Sequence, residues 1–384
     1  MTHTPLVSVR IPSYNHEKYV RACIQSVLDQ TFTDFEIVIV DDCSTDHSVE
    51  VIQSFDDPRI KLEVLPRNSG MNVAVERCMQ LSSGKYIANL SSDDLWAPAK
   101  LAEQVSYLEQ NPDCAAVFTQ VVIVGEDGQP LSDLAFPSPF DYVNRSPDAW
   151  LWRFFYLGNC LCNPSVMIRR EVYEKFGYQD KRMVSLSDFD LWVKLSLEYQ
   201  LWVLDQKLTM FRVRDDGMNL SANNPGNQRR QMFEFKQILD HYLEIRDPEQ
   251  LKRIFPECEK FGEPEERTIP YFLGRLAIDV PTMVHWLWGC ETIFGLLADP
   301  DMARLLEEKY DFRYRDFIDL TKTVPPAPPA PPAPPEPAPK QKRTPKPNLA
   351  AYEVYRVKRI LARLFPQGYL ALKRWFYRVF GKRE

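Results

Sequence analysis

The chain has 384 residues, of which 45% are hydrophobic and 26% charged, with a formal net charge of −6. This length accommodates one large or two ordinary domains with a sizeable core, and the balance is that of a soluble globular protein. The charge is uneven: residues 340–384 hold 13 Lys/Arg against two acidic residues, so an anionic partner is expected at that end only.

In chain order, residues 6–11 form a β-rich run that Pro12, Ser13, Tyr14 and Asn15 bring to an end. Val20, Cys23, Ile24, Val27 and Leu28 have helical spacing within 17–29. A second buried strand over 35–40 leads into Asp41 and Asp42, and Ser44, Thr45 and Asp46 can cap the helix that follows, to about Phe55. Strand 60–65, a turn at 68–70, helix 72–80 and strand 86–90 come next. The polar run Ser91, Ser92, Asp93, Asp94 then precedes a helix over 97–111 and a strand over 115–124.

Strand and helix alternating at this rhythm predict an α/β fold with a mostly parallel sheet flanked by helices. Ligands of such sheets sit outside the carboxyl ends of the strands. Three of those ends carry polar residues, at 12–15, 41–42 and 91–94, and a single shared binding site is expected. Adjacent carboxylates such as Asp93 and Asp94 are tolerable when a hard divalent cation bridges them to a ligand. A solvated turn ahead of a helix is the plainer alternative. Neither a G-x-G-x-x-G fingerprint nor a Walker A lysine motif occurs. Of the eight cysteines only Cys160 and Cys162 are close in sequence, and buried reduced thiols are expected.

Residues 148–161 are rich in aromatics (Trp150, Trp152, Phe154, Phe155, Tyr156), which suit either an acceptor cleft or core packing. Residues 226–323 read as a helical extension and 324–347 as a Pro-rich linker of semi-rigid polyproline type. Residues 348–384 form a basic amphipathic helical tail, with Val354, Val357, Leu361 and Leu364 on one face and Leu372, Trp375, Phe376 and Val379 on another. That pattern suits an anionic membrane surface, with a helical hairpin docked on the protein or a partner as the alternative. No apolar run reaches the ~18 residues of a spanning helix, and no signal peptide opens the chain. A cytoplasmic protein, peripheral at the inner face of the cell membrane, is expected. Nucleic acid is not expected as a partner.

Six stretches, in order, resemble the family-2 inverting glycosyltransferases of GT-A fold. They are Val-Ser-Val-Arg-Ile-Pro-Ser-Tyr-Asn at 7–15, Ile-Val-Asp-Asp-Cys-Ser-Thr-Asp at 39–46, Gly-Lys-Tyr-Ile-Ala-Asn-Leu-Ser-Ser-Asp-Asp-Leu-Trp at 84–96, Asn-Pro-Ser-Val-Met-Ile-Arg-Arg at 163–170, Ser-Asp-Phe-Asp-Leu-Trp at 187–192 and Phe-Arg-Val-Arg at 211–214. The resemblance covers about 5–222 and implies a catalytic domain over 1–225. It implies that a sugar moves from a nucleotide-diphosphate sugar, with UDP-sugars favoured, to the hydroxyl of a saccharide or lipid-linked acceptor in surface polysaccharide or glycolipid synthesis. By the same resemblance Pro12, Tyr14, Asn15, Asp41, Asp42, Asn68, Asp93 and Arg214 line the nucleotide-sugar. A carboxylate there can accept from a pyrimidine N–H. Asp94, with Asp93, would hold Mn²⁺ or Mg²⁺, which neutralises the departing diphosphate. Asp188 would be the base that takes the acceptor proton, a helix cap or ion-pair role being its structural alternative.

Three positions depart from the family pattern: Ser91 stands where an Asp is frequent, Ser187 where a Glu is usual, and Arg214 where a His is often found. Arg214 either grips phosphate directly, since guanidinium forks fit phosphate oxygens, or is a surface arginine. The departures leave two other functions open, a non-catalytic sugar-nucleotide-binding scaffold and a nucleotidyltransferase that releases pyrophosphate.

Overall fold

The computed structural model describes residues 3–131, 138–177, 179–214 and 225–323, and both the Pro-rich linker and the basic tail lie outside the described residues. The described residues fall into two units, one formed by 3–131, 138–154 and 158–214, the other by 155–157 and 225–323.

The first unit is built on β1 (Val7–Ser13), β2 (Phe35–Asp41), β3 (Ile60–Val64) and β4 (Tyr86–Asn89), with α1 (Val20–Leu28), α2 (Ser48–Gln53) and α3 (Met71–Leu81) as crossovers. These four strands are parallel, in the order β3-β2-β1-β4. All seven residues of β2 are buried, as expected of an apolar run covered on both faces. One face of β1 and β2 (Val7, Val9, Ile11, Ile37, Ile39) joins Val20, Ile24 and Val27 of α1 in the main core. The register sets Ser13 beside Asp41 and Arg10 beside Asn89.

The rest of the sheet is mixed. After β5 (Leu95–Trp96), α4 (Lys100–Gln110) and β6 (Cys114–Val124) comes α5 (Pro147–Leu157), which starts at a Ser146 cap with Pro147 in the first helical position. Then follow β7 (Met167–Arg169), α6 (Arg170–Phe176), α7 (Ser187–Ser196) and β8 (Gln200–Arg212). β7 runs antiparallel between β4 and β6, β6 and β8 are parallel, and β5 pairs antiparallel with β8 through Leu95 and Met210. That last pairing matters most for function, because it brings the end of β8 beside the Asp93–Asp94 turn.

The aromatic stretch at 148–161 is core. Trp150, Phe154 and Phe155 are fully buried, with Trp152 only partly so. All eight cysteines are free, and seven are buried.

The second unit is helical: α8 (Pro225–Leu239), α9 (Pro248–Ile254), α10 (Ile269–Ile278), α11 (Met283–Leu297), α12 (Pro300–Tyr310) and α13 (Tyr314–Leu320). α10 and α11 approach closely at Gly274 and Gly289; a Cβ on Gly289 would lie 2.5 Å from the Gly274 carbonyl oxygen. Inside this unit His285 is 1% exposed. Its Nε2 bonds the Phe155 carbonyl at 2.7 Å and its Nδ1 the Thr282 hydroxyl at 2.5 Å. A carbonyl only accepts, so Nε2 carries the proton and the ring is neutral.

Burial pushes the pKa of His285 down from 6.5 to about 4. A histidine held neutral in the folded state stabilises it fully above the unfolded value and loses that contribution as pH falls from 6.5 toward 4. The shift corresponds to about 3 kcal/mol at its limit. Thermal midpoints measured across this window should therefore fall more steeply for the wild type than for His285→Gln. Parallel pH profiles would show that His285 does not titrate on unfolding.

Candidate active site

The carboxyl ends of β1 and β2 form one corner of the site. Pro12 is partly buried and Tyr14 is 41% exposed. Asn15 adopts φ 51°, where Asn is among the better-tolerated residues. It ties this turn to the next one: its N–H donates to Ser44 Oγ and its Oδ1 accepts the Thr45 N–H, both at 2.8 Å. Asp41 is fully buried and accepts the Ser44 N–H and hydroxyl, both at 2.7 Å. Asp42 accepts the Ser69 N–H at 2.7 Å and the Gly70 N–H at 2.8 Å. It thereby holds the loop bearing exposed Asn68 against the end of β2. Gly70 has φ 97°, which a side chain rarely permits, and it leads directly into α3.

The second corner is the Asp93–Asp94 turn. Asp94 is 2% exposed and its Oδ1 accepts the Arg212 N–H at 2.7 Å. The Arg212 side chain closes the turn from the other side. Its Nε donates to the Asp93 carbonyl at 2.7 Å, and its Nη1 donates to the carbonyls of Gly125 and Glu126 at 3.0 and 2.8 Å. Burial, and then the adjacent Asp93 carboxylate, push Asp94 well above the usual carboxylate range; hydrogen bonds from the Arg212 N–H and the Ser91 side chain pull the other way. The Ser91 carbonyl also accepts the Asp94 N–H at 3.0 Å.

His16 was not singled out from the sequence, yet it lies in this corner. Its Nδ1 is 2.7 Å from Ser92 Oγ, its Nε2 is 2.9 Å from Arg214 Nη1, and the same Nε2 is 4.0 Å from Asp93 Oδ2. A guanidinium only donates, so Nε2 accepts and Nδ1 carries the proton. The Tyr19 ring faces both arginines, 5.0 Å from the Arg212 guanidinium and 5.6 Å from that of Arg214. Arg214 is therefore part of this corner.

The third corner is the start of α7. Asp188 Oδ1 accepts the Phe189 N–H at 2.7 Å, and Asn159 Nδ2 lies 3.4 Å from Oδ2. A helix-terminal role and a chemical one are thus compatible in this residue. Ser187 donates to Asn72 Oδ1 at 3.3 Å, and the Asn72 amide donates to the carbonyls of Asp180 and Met183. Burial raises the Cys162 thiol, and the carboxylates of Asp94 and Asp188 raise it further.

Asp93 and Asp94 fit a hard divalent cation of the kind that takes one or two protein carboxylates and completes its shell from phosphate oxygens and water. Among the described residues no group of three His, Cys, Asp or Glu side chains gathers to close a shell from protein alone. Also among the described residues, no helix is long and apolar enough to cross a membrane.

Comparison with known proteins agrees with this geometry. Residues 8–177 match the family model described as glycosyl transferase family 2. An uncharacterized glycosyltransferase of Methanocaldococcus jannaschii is 29% identical over 214 residues, covering 54% of this chain and 71% of that one. TuaG of Bacillus subtilis, named for teichuronic acid biosynthesis, is 41% identical over 129 residues, 33% of this chain and 51% of its own length. The beta-1,3-glucosyltransferase WfgD of Escherichia coli is 40% identical over 106 residues, 28% of this chain and 42% of that one. Among solved structures, S. aureus TarS 1-349 in complex with UDP-GlcNAc is similar in fold at a TM-score of 0.50 and 22% identity, over 79% of this chain and 91% of that one. The segment at 8–177, which carries the first corner and the Asp93–Asp94 turn, is thus similar to the family-2 glycosyltransferases, and the fold is that of the GT-A type.

Proposed function

We propose that the protein is an inverting, metal-assisted glycosyltransferase that moves a sugar from a UDP-sugar to the hydroxyl of a lipid-linked saccharide, in surface polysaccharide or glycolipid synthesis. The observation that carries this reading is the Asp93–Asp94 turn, clamped by Arg212 with His16 and Arg214 beside it, together with strand ends that hold polar loops in place. WfgD supports the donor and acceptor class, because its name states UDP-Glc and a diphosphoundecaprenol-linked GlcNAc.

In this reading Pro12, Tyr14, Asn15, Asp41, Asp42 and Asn68 form the nucleotide end. The partly exposed Tyr14 ring offers a face for a base, and Asp42 keeps the 68–70 loop beside it. Asp93 and Asp94 would hold Mn²⁺ or Mg²⁺, which supplies Lewis-acid neutralisation of the diphosphate. Arg214, oriented by His16, adds a second positive group on the same side. Asp188 accepts the proton of the acceptor hydroxyl as that oxygen bonds to the anomeric carbon. The bond from that carbon to the diphosphate oxygen breaks on the opposite side, so the configuration inverts and nucleoside diphosphate leaves.

The basic tail would attach the enzyme to the anionic inner face of the membrane, where such acceptors reside. Each basic residue contributes about 1 kcal/mol near an anionic surface, and the apolar stripes add interfacial burial.

Asp188→Asn tests the base. UDP affinity should stay near that of the wild type, while kcat drops by about 10²–10⁴. A large loss of donor affinity at near-normal kcat would make Asp188 a donor-site residue instead. For the cation, UDP should bind more tightly in Mn²⁺ than in EDTA, and Asp94→Ala should erase that difference together with turnover. An active Asp94→Ala enzyme, indifferent to EDTA, would defeat the assignment. For the tail, a chain ending at Thr323 should no longer co-sediment with anionic vesicles, and full-length attachment should weaken with salt. Equal partitioning of the two forms would point to a protein partner.

A further inference from the structure

Arg10 lies in the middle of β1 and is 1% exposed. Its Nε donates to Asn89 Oδ1, its Nη2 lies 3.4 Å from Gln179 Oε1, and its guanidinium sits 5.5 Å from the Tyr173 ring centre. All these partners are neutral, and Nη1 is buried with no hydrogen-bond partner. A guanidinium buried in this way costs stability, and an apolar side chain of similar volume is often neutral or stabilising in its place. Stability therefore does not account for Arg10.

The network around it does. Asn89 passes the contact on, with Nδ2 donating to Asn163 Oδ1 at 2.9 Å and lying 3.4 Å from the Tyr173 hydroxyl. Asn89 ends β4, the strand that runs directly into the Asp93–Asp94 turn. Gln179 precedes Asp180, whose carbonyl accepts the Asn72 amide at 3.1 Å, and Asn72 receives Ser187 beside Asp188. One guanidinium thus joins the segment that leads to the two carboxylates with the segment that leads to the base.

We propose that Arg10 is a positioning residue for sugar transfer, fixing the separation of the Asp93–Asp94 turn from Asp188 without touching substrate. The inference rests on the transferase reading above. Misplacement of about 1 Å far from the chemistry can cost about 10²-fold in rate.

The test uses the full-length protein in Mn²⁺ with UDP-glucose and UDP-GlcNAc, reading UDP release, UDP affinity by calorimetry and the thermal midpoint. Arg10→Met should melt no lower than the wild type and bind UDP within about twofold, while kcat falls about 10–100-fold at unchanged donor KM. Arg10→Lys keeps the charge but not the planar fork and should lose kcat in the same way. Adding Asn89→Leu to Arg10→Met should cost little more, because the network is already broken. Unchanged kcat in Arg10→Met and Arg10→Lys would overturn the proposal, as would a fall in midpoint, UDP affinity and kcat together. If the wild type itself binds no UDP and releases none from either donor, the transferase reading fails and takes this inference with it.

Discussion

Two carboxylates side by side in a buried turn are the constraint around which the first unit is arranged. Asp93 and Asp94 cannot both be charged there without compensation, and burial raises Asp94 accordingly. The compensation comes from far away in sequence. The backbone and side chain of Arg212 reach the turn only because β8 returns beside β5, an interaction between residues 118 positions apart. The thirteen-residue β8 is therefore the support of the turn as much as a piece of sheet.

The parallel half of the sheet supplies the other requirement, a common edge. β1 and β2 end side by side at Ser13 and Asp41, whereas β4 ends beside Arg10 and the chain continues through 90–92 to the Asp93–Asp94 turn. Asp41 closes the turn after β2, Asp42 holds the loop before α3, and Asn15 ties the first turn to the second. Several residues of this corner thus have structural work, which fixes the shape a ligand would meet.

The parallel half was legible in the sequence because each of its elements announces itself locally. The apolar run at 37–40 in β2, the helical spacing of Val20 to Leu28 and the polar breaks after the strands need no long-range information. The antiparallel additions were not legible. β5 has two residues and β7 three, too short for any period to show, and their partners lie far along the chain. The same reason hid His16 and Arg212, since one sits in an unpatterned turn and the other matters only through β8. Arg10 was not singled out either, because its amide partners lie 79 and 169 positions along the chain. Of the serines that depart from the family pattern, Ser187 proves to be bonded to Asn72, and the Ser91 carbonyl accepts the Asp94 N–H.

The first turn of α3 holds a further consequence. Gly70, just before it, is gripped by Asp42 at the end of β2, and Asn72, just inside it, grips the segment that leads to Asp188. The two ends of the site are separated by a single residue there. A lineage drifting toward a different nucleotide through the 68–70 loop would carry the start of α7 with it. In the proposed reading, donor preference and base geometry are one inherited character, and substitutions at 70 and 72 should appear in evolution as pairs.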